Sequence, residues 1–213
     1  METQNFLLKI VNNEDGLYHG NLRYYFKLMF NSPNSSYPYH NFRHMSYVTC
    51  TAYECAKSIG YPKIMGKISF RALLIAAMFH DYNHSLEMID DKINIASAVS
   101  SIEKYILDED INLLPQIIIL ISETEFPHVK HGFSLGGSIL RDADLSQSLS
   151  DVWMQQVIFG LAAEMKITPS ELLLMEVKYL QHLNFETTWA KDKFGPMIIA
   201  KIHEVNEFIK ILL

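Results

Sequence analysis

Apolar positions along the chain recur mostly at intervals of three and four, and no stretch sustains the alternation of a half-buried strand. This pattern predicts an all-α fold of roughly eight to ten helices. GNLRYYFKLMF (20–30) reads as a helix, followed by the one clear loop, NSPNSSYPYHN (31–41), rich in Ser, Asn and Pro. FRHMSYVTCTAYECAKSIG (42–60) is a helix ending at Gly60. ISFRALLIAAMFHDYNH (68–84) is apolar nearly all round, so it should be central and buried. Helices are also expected over INIASAVSSIEKYIL (93–107), DINLLPQIIILISETEF (110–126) and, more briefly, HGFSLGGSILRDADLS (131–146), which holds a glycine pair. LSDVWMQQVIFGLAAEMKI (149–167) is amphipathic. TPSELLLMEVKYLQHLNF (168–185) opens on a capping signal, Thr168 before Pro169 with Glu171 three residues on. The last helix is expected from Pro196 onward, its apolar face docked on its own domain.

Length and composition refine this picture. The 213 residues suit one domain, taken as 1–213, and 49% apolar against 20% charged residues leaves room for a sizeable core. The net charge of −6 and the lack of a basic tract argue against a nucleic-acid polymer as partner. A small phosphorylated substrate stays open, because a metal can supply positive charge locally. Cys50 and Cys55 are too few for a disulfide framework and read as ordinary thiols of an intracellular protein. The N-terminus has no signal-peptide pattern, and the most apolar run, 111–122, is about half a membrane span and contains Pro115. A cytoplasmic protein with no membrane partner, monomer or homodimer, is expected.

Some polar residues do not belong in such a core. His80 and Asp81 follow eight apolar residues, Ala72 to Phe79, and an unpaired buried carboxylate is costly. His84 lies one turn beyond His80, and His40 and His44 share a face at the start of another helix. Asp142 and Asp144 lie in a third apolar context. Two imidazoles and two carboxylates from three helices suit Zn²⁺, Mn²⁺, Fe²⁺ or Mg²⁺.

YHNFRH (39–44), HDYNH (80–84) and ADLS (143–146) stand in an order that resembles the HD superfamily of metal-dependent phosphohydrolases. Within it, the chain looks most like the class I cyclic nucleotide phosphodiesterase catalytic domain and its small bacterial and phage relatives, over about residues 20–195. The resemblance implies an HD-type helical bundle with two divalent metal ions. His44, His80, Asp81 and Asp144 would bind the tighter ion (Zn, Mn or Fe), with Asp81 bridging to a looser one (Mg or Mn). Asp142, by contrast, is expected at the surface or paired with Arg141. A hydroxide between the ions would attack phosphorus, His40 would protonate the leaving oxygen as general acid, and His84 would steady the nucleophile. Asn41 would fix the loop carrying His40, as a substrate-side residue or a plain helix cap. Thr124 and His128 would line the second ion's water shell, and Glu87, Asp90, Asp91 or Glu103 would lend it an acid. His19, His131, His182 and His203 fit no motif and read as ordinary residues.

The resemblance thins at the base-binding end. The family holds its purine with a Gln about thirteen residues before a segment like FETTW (185–189), and here that position is Leu173. Gln181 and Phe185 are the nearest candidates for substrate contact, with Tyr179 and Trp189 as other aromatics. The expected activity is hydrolysis of cyclic mono- or oligonucleotides. The alternative is a phosphohydrolase of linear (d)NMP or (d)NTP, although Arg43, Lys130 and Arg141 are the only cations in the site segments. A di-iron oxygenase and a non-catalytic nucleotide-binding module are the remaining readings.

Overall fold

A computed structural model describes residues 2–86, 90–127 and 133–212. The described residues form helices and no strand: α1 (Glu2–Asn12), α2 (Arg23–Phe30), α3 (Phe42–Ser58), α4 (Tyr61–Ile64), α5 (Gly66–Phe79), α6 (Asp91–Tyr105), α7 (Leu114–Ser122), α8 (Leu135–Leu145), α9 (Ala162–Met165), α10 (Pro169–His182) and α11 (Thr188–Leu212). Two 3₁₀ turns, Asp108–Leu113 and Ser146–Leu149, and a π-helical segment, Met154–Leu161, link them.

α5 is the axle. Every residue from Phe70 to Phe79 is buried, as its all-round apolar sequence demands, and α3, α7 and α2 pack around it. A second apolar cluster joins the π segment, α10 and α11 around Trp153, Val157, Leu172 and Phe194, and Trp189 touches both clusters. α3 ends as expected, with Gly60 at φ 75° just beyond it. The α10 cap also forms: the Thr168 hydroxyl accepts from the Glu171 N–H while Glu171 accepts from the Thr168 N–H.

Several elements depart from the sequence pattern. α1 was not anticipated; it buries Ile10 and Val11, and the Tyr18 hydroxyl donates to the Ile10 carbonyl. The run 110–126 divides into a 3₁₀ turn and α7, because Pro115 in the first turn of α7 has no N–H to continue a preceding helix. The centre of the 149–167 stretch, Met154–Leu161, is π-helical. α11 starts eight residues before Pro196, because the Thr187 hydroxyl caps the Ala190 N–H at 3.1 Å and Asp142 holds Thr187. α11 does pack on its own chain, against α10. Cys50 and Cys55 are free, buried thiols. Among the described residues, no helix is long and apolar enough to cross a membrane.

Candidate metal centre

Three helices deliver the ligands. Asn41 caps α3 by accepting from the Arg43 and His44 N–H groups at 2.7 and 3.1 Å, which sets His44 in the first turn facing inward. α5 carries His80 to its C-terminal end, where the chain turns through Asn83 at φ 63°. α8 presents Asp144. The glycine pair brings α8 close to α7: a Cβ on Gly136 would lie 2.7 Å from Leu120 Cδ2.

The ligating atoms converge. His44 Nε2 lies 2.9 Å from Asp81 Oδ2, 3.1 Å from Asp144 Oδ1 and 3.2 Å from His80 Nε2. His80 Nε2 lies 3.1 Å from Asp81 Oδ2 and 3.9 Å from Asp144 Oδ1. Each imidazole is oriented from behind: His80 Nδ1 faces the Ala77 carbonyl at 2.9 Å, and His44 Nδ1 is hydrogen-bonded to Gln147 Oε1. Nδ1–H donated to an oxygen leaves Nε2 as the free lone pair, the tautomer a metal ligand needs. Burial pulls the His44 imidazole down, yet Asp144 and Asp81 together push it up to about 10. Burial likewise opposes ionisation of Asp81, and the His80 and His44 rings still hold its carboxyl well below the usual range. The set thus binds positive charge strongly, and two imidazoles with two carboxylates fit a hard or borderline divalent cation.

Beside it stands a second group. His40 Nδ1 meets Glu164 Oε2 at 2.6 Å, and Glu164 Oε1 accepts from the Tyr39 and His40 backbone N–H groups at 2.7 and 2.9 Å. The His84 ring stacks on His40, centroids 3.7 Å apart and planes 12° off parallel. Burial, and then the His40 charge, push His84 down to about 4, so it is neutral at physiological pH. His40, His84 and Glu164 also place ligating atoms within 4.8 Å of one another. Glu164, however, is occupied by three hydrogen bonds, which suits a partner for a proton-carrying His40 more than a cation ligand.

Asn34, fully buried, straps the two loops together. Its Nδ2 donates to the His40 and Asp81 carbonyls at 2.7 and 2.8 Å, and its Oδ1 accepts from the Asn83 N–H at 2.9 Å. On the far side, Gly160 has no room for a side chain, since a Cβ would lie 2.6 Å from the Pro38 carbonyl oxygen. That contact seats the π segment on the His40 loop and sets Glu164 beneath it.

His40, Asp81, His84, Asp144 and Glu164 line a cavity of about 680 Å³, with His44 and His80 buried behind it. Its described lining includes six carboxyls (Asp81, Asp90, Asp91, Asp144, Glu164 and Glu176) and no Lys or Arg. Thr124 lies on its wall, its hydroxyl donating to the Ile121 carbonyl at 2.8 Å. Asp91 lies there too, accepting from the Phe126 N–H at 2.7 Å, while Asp90 caps α6 and Glu103 is exposed outside. His128, His131, Lys130 and Glu87 fall outside the described residues.

The cavity does not gather every expected residue. Phe185 is buried in the second apolar cluster against Phe194, Gln181 is exposed on α10, and neither lines the cavity. Asn41 is spent on the helix cap and on the Tyr37 and Pro38 carbonyls. Asp142 is no surface residue and does not bridge to Arg141. It is 1% exposed and accepts from the Glu186 and Thr187 N–H groups and the Thr187 hydroxyl at 2.7–2.8 Å. Two positions apart on a helix, Asp142 and Asp144 point to nearly opposite sides. Arg141 pairs with Glu186 at 3.4 Å. His19, His182 and His203 are exposed, as ordinary residues. Glu164, Gln147, Asn34 and Glu176 carry no motif; the one available signal was an acid on an otherwise apolar helical face, as in GLAAEM and LLLMEV.

No protein-family model matches the chain, and no curated protein matches it.

Proposed function

We propose that the chain is an HD-type, metal-dependent phosphodiesterase that hydrolyses cyclic nucleotides. The observation that carries this reading is the convergence of the buried His44 and His80 on Asp81 and Asp144, whose carboxyls line a cavity rich in carboxyls and, among its described lining, without Lys or Arg. A phosphate ester cannot settle among six carboxyls unless cations intervene. Divalent ions held by these four residues, with Asp81 reaching a second ion, would supply positive charge to the phosphoryl oxygens and acidify the attacking water.

The chain's own residues do the rest. His40, with Nδ1 anchored on Glu164, is left with Nε2 to donate a proton to the departing alkoxide. Glu164 keeps that imidazole aimed. Neutral His84, stacked on it, adds no competing charge; its Nδ1 is held by the Ser85 carbonyl at 2.6 Å, so Nε2 is an acceptor that can hold a water proton. The lack of Lys or Arg in the described lining favours an ester bearing one negative charge over a triphosphate. Two buried, unbridged thiols fit a reducing cytoplasm.

The test is a panel: cyclic mono-, di- and trinucleotides, NMPs, NTPs and bis(p-nitrophenyl) phosphate, each with Mn²⁺, Mg²⁺ or Zn²⁺. Metal-dependent consumption of a cyclic substrate is expected. Cleavage of linear nucleotides alone would move the reading to the related phosphohydrolase, and cleavage of none would leave a binding module.

A further inference from the structure

Glu176 is a buried acid for which the proposed chemistry has no use. It lies on α10, 4% exposed, and its Oε1 has no hydrogen-bond partner among the described residues. It lines the same cavity as His40, Asp81 and Asp144. Lys201, the cation that acts on it among the described residues, is itself paired with Glu204 at 2.7 Å, and the Ser148 hydroxyl supports the carboxyl. Buried acceptors in folded proteins have donors. One that lines a cavity without a donor calls for a donor that arrives with the ligand.

The surroundings give the ligand its shape. Val157, Leu161 and Met165 come from the π segment and α9, Tyr179 from the next turn of α10, and Tyr39 from the His40 loop. This side of the cavity is apolar and aromatic, whereas the metal ligands come from α3, α8 and the end of α5. A flat heteroaromatic ring whose edge carries N–H groups matches an apolar wall with one acceptor.

We propose that Glu176 determines the specificity of the cleft by accepting hydrogen bonds from the N–H edge of a guanine-type base, while the base's phosphate ester lies at the His44–Asp144 cluster. This rests on the nucleotide phosphodiesterase reading and deepens it. An ionised carboxylate offers acceptors only. Guanine presents N1–H and the 2-amino group side by side, whereas adenine places the N1 lone pair beside its amine and meets the carboxylate with repulsion. Burial pushes the Glu176 carboxyl up to about 7, so it is ionised at pH 8.

The experiment compares wild type and E176Q at pH 8 with Mn²⁺ on 3′,5′-cyclic GMP, cyclic IMP and cyclic AMP. Calorimetry with GMP and AMP reads binding apart from turnover, and melting temperature and metal content check the fold. Wild type should favour the guanine ester over the adenine ester by at least about tenfold in kcat/KM, with the hypoxanthine ester between. E176Q, whose amide both donates and accepts, should bring guanine and adenine within about threefold while melting no lower than wild type and holding metal as it does. Equal use of the esters, an adenine preference, or an unchanged ratio in E176Q overturns the proposal. Should no ester be cleaved, the phosphodiesterase reading fails and calorimetry still decides this one. GMP bound more tightly than AMP, with the difference lost in E176Q, supports it; equal binding in wild type overturns it.

Discussion

Two charged clusters lie in the core, and they are built on opposite plans. In one, Arg71 forks onto Asp110, Nε and Nη2 each 2.7 Å from a carboxylate oxygen, while Nη1 reaches the His19 and Asn21 carbonyls at 2.8 Å. The Tyr25 hydroxyl completes it at 2.8 Å from Asp110. In the core one cation meets one anion, with exposed Glu109 reaching Arg71 only at 3.5 Å, and donors and acceptors are matched. In the other, His44, His80, Asp81 and Asp144 turn ligating atoms toward one another. Among the described residues, nothing but the proton of an imidazole offsets two carboxylates there. A cluster that closes on itself holds structure; one that closes only around a cation is built to bind it.

The sharpest break between them is a pair of matched deletions. Asp81→Ala should lower turnover by more than about a thousandfold and remove tight metal uptake, read by steady-state rates and elemental analysis. Asp110→Ala should destabilise the fold by about 3–5 kcal/mol, because it strands Arg71 in the core, yet leave metal affinity per folded molecule unchanged. Denaturant melts of the metal-free proteins check the contrast. Equal destabilisation by the two deletions would erase the distinction.

Glu176 marks a third condition, a buried carboxyl with no cation of its own. Burial raises it from 4.5 to about 7, so its contribution to stability is full below pH 4.5 and is lost as the pH climbs through 7. Glu176→Gln should therefore melt higher than wild type at pH 8, by about 3 kcal/mol, and match it near pH 4.5. A pH series of thermal melts tests this, and an offset independent of pH would contradict it.

Smaller effects probe the supports. Glu164→Gln should keep the metal and lower kcat by about ten- to a hundredfold, because His40 loses the carboxylate that orients its ring. The loss should shrink for a nitrophenyl ester, whose leaving group needs little protonation. Gln147→Ala should weaken metal affinity by about ten- to a hundredfold by freeing the His44 ring, as a titration would show.

The sequence made the α3, α5 and α8 side of the site readable because its ligands come in short strings: His40 and His44 one turn apart, His80 beside Asp81, Asp144 inside ADLS. Those spacings are local to one helix and its ends, His40 just before the α3 cap and Asp81 just past the end of α5, and they survive folding. Gln147 meets His44 across 103 residues of chain, Glu164 meets His40 across 124 and Asn34 meets Asp81 across 47, and no local period records such meetings. Asp142 shows the same limit: its burial depends on Thr187, 45 residues away. The π segment was hidden too, since its apolar spacing passes for an α-helix, while the α10 cap was readable because both of its partners lie within three residues.

The most direct test of the metal centre is a calorimetric titration of metal-free protein with Mn²⁺, run beside Asp81→Ala and followed by thermal melts. The account predicts that wild type takes up at least one ion tightly and gains about 2.7 kcal/mol when free metal stands at a hundred times Kd, and that the variant does neither. Wild type that binds no more Mn²⁺ than Asp81→Ala, and melts no higher with it, would contradict the account.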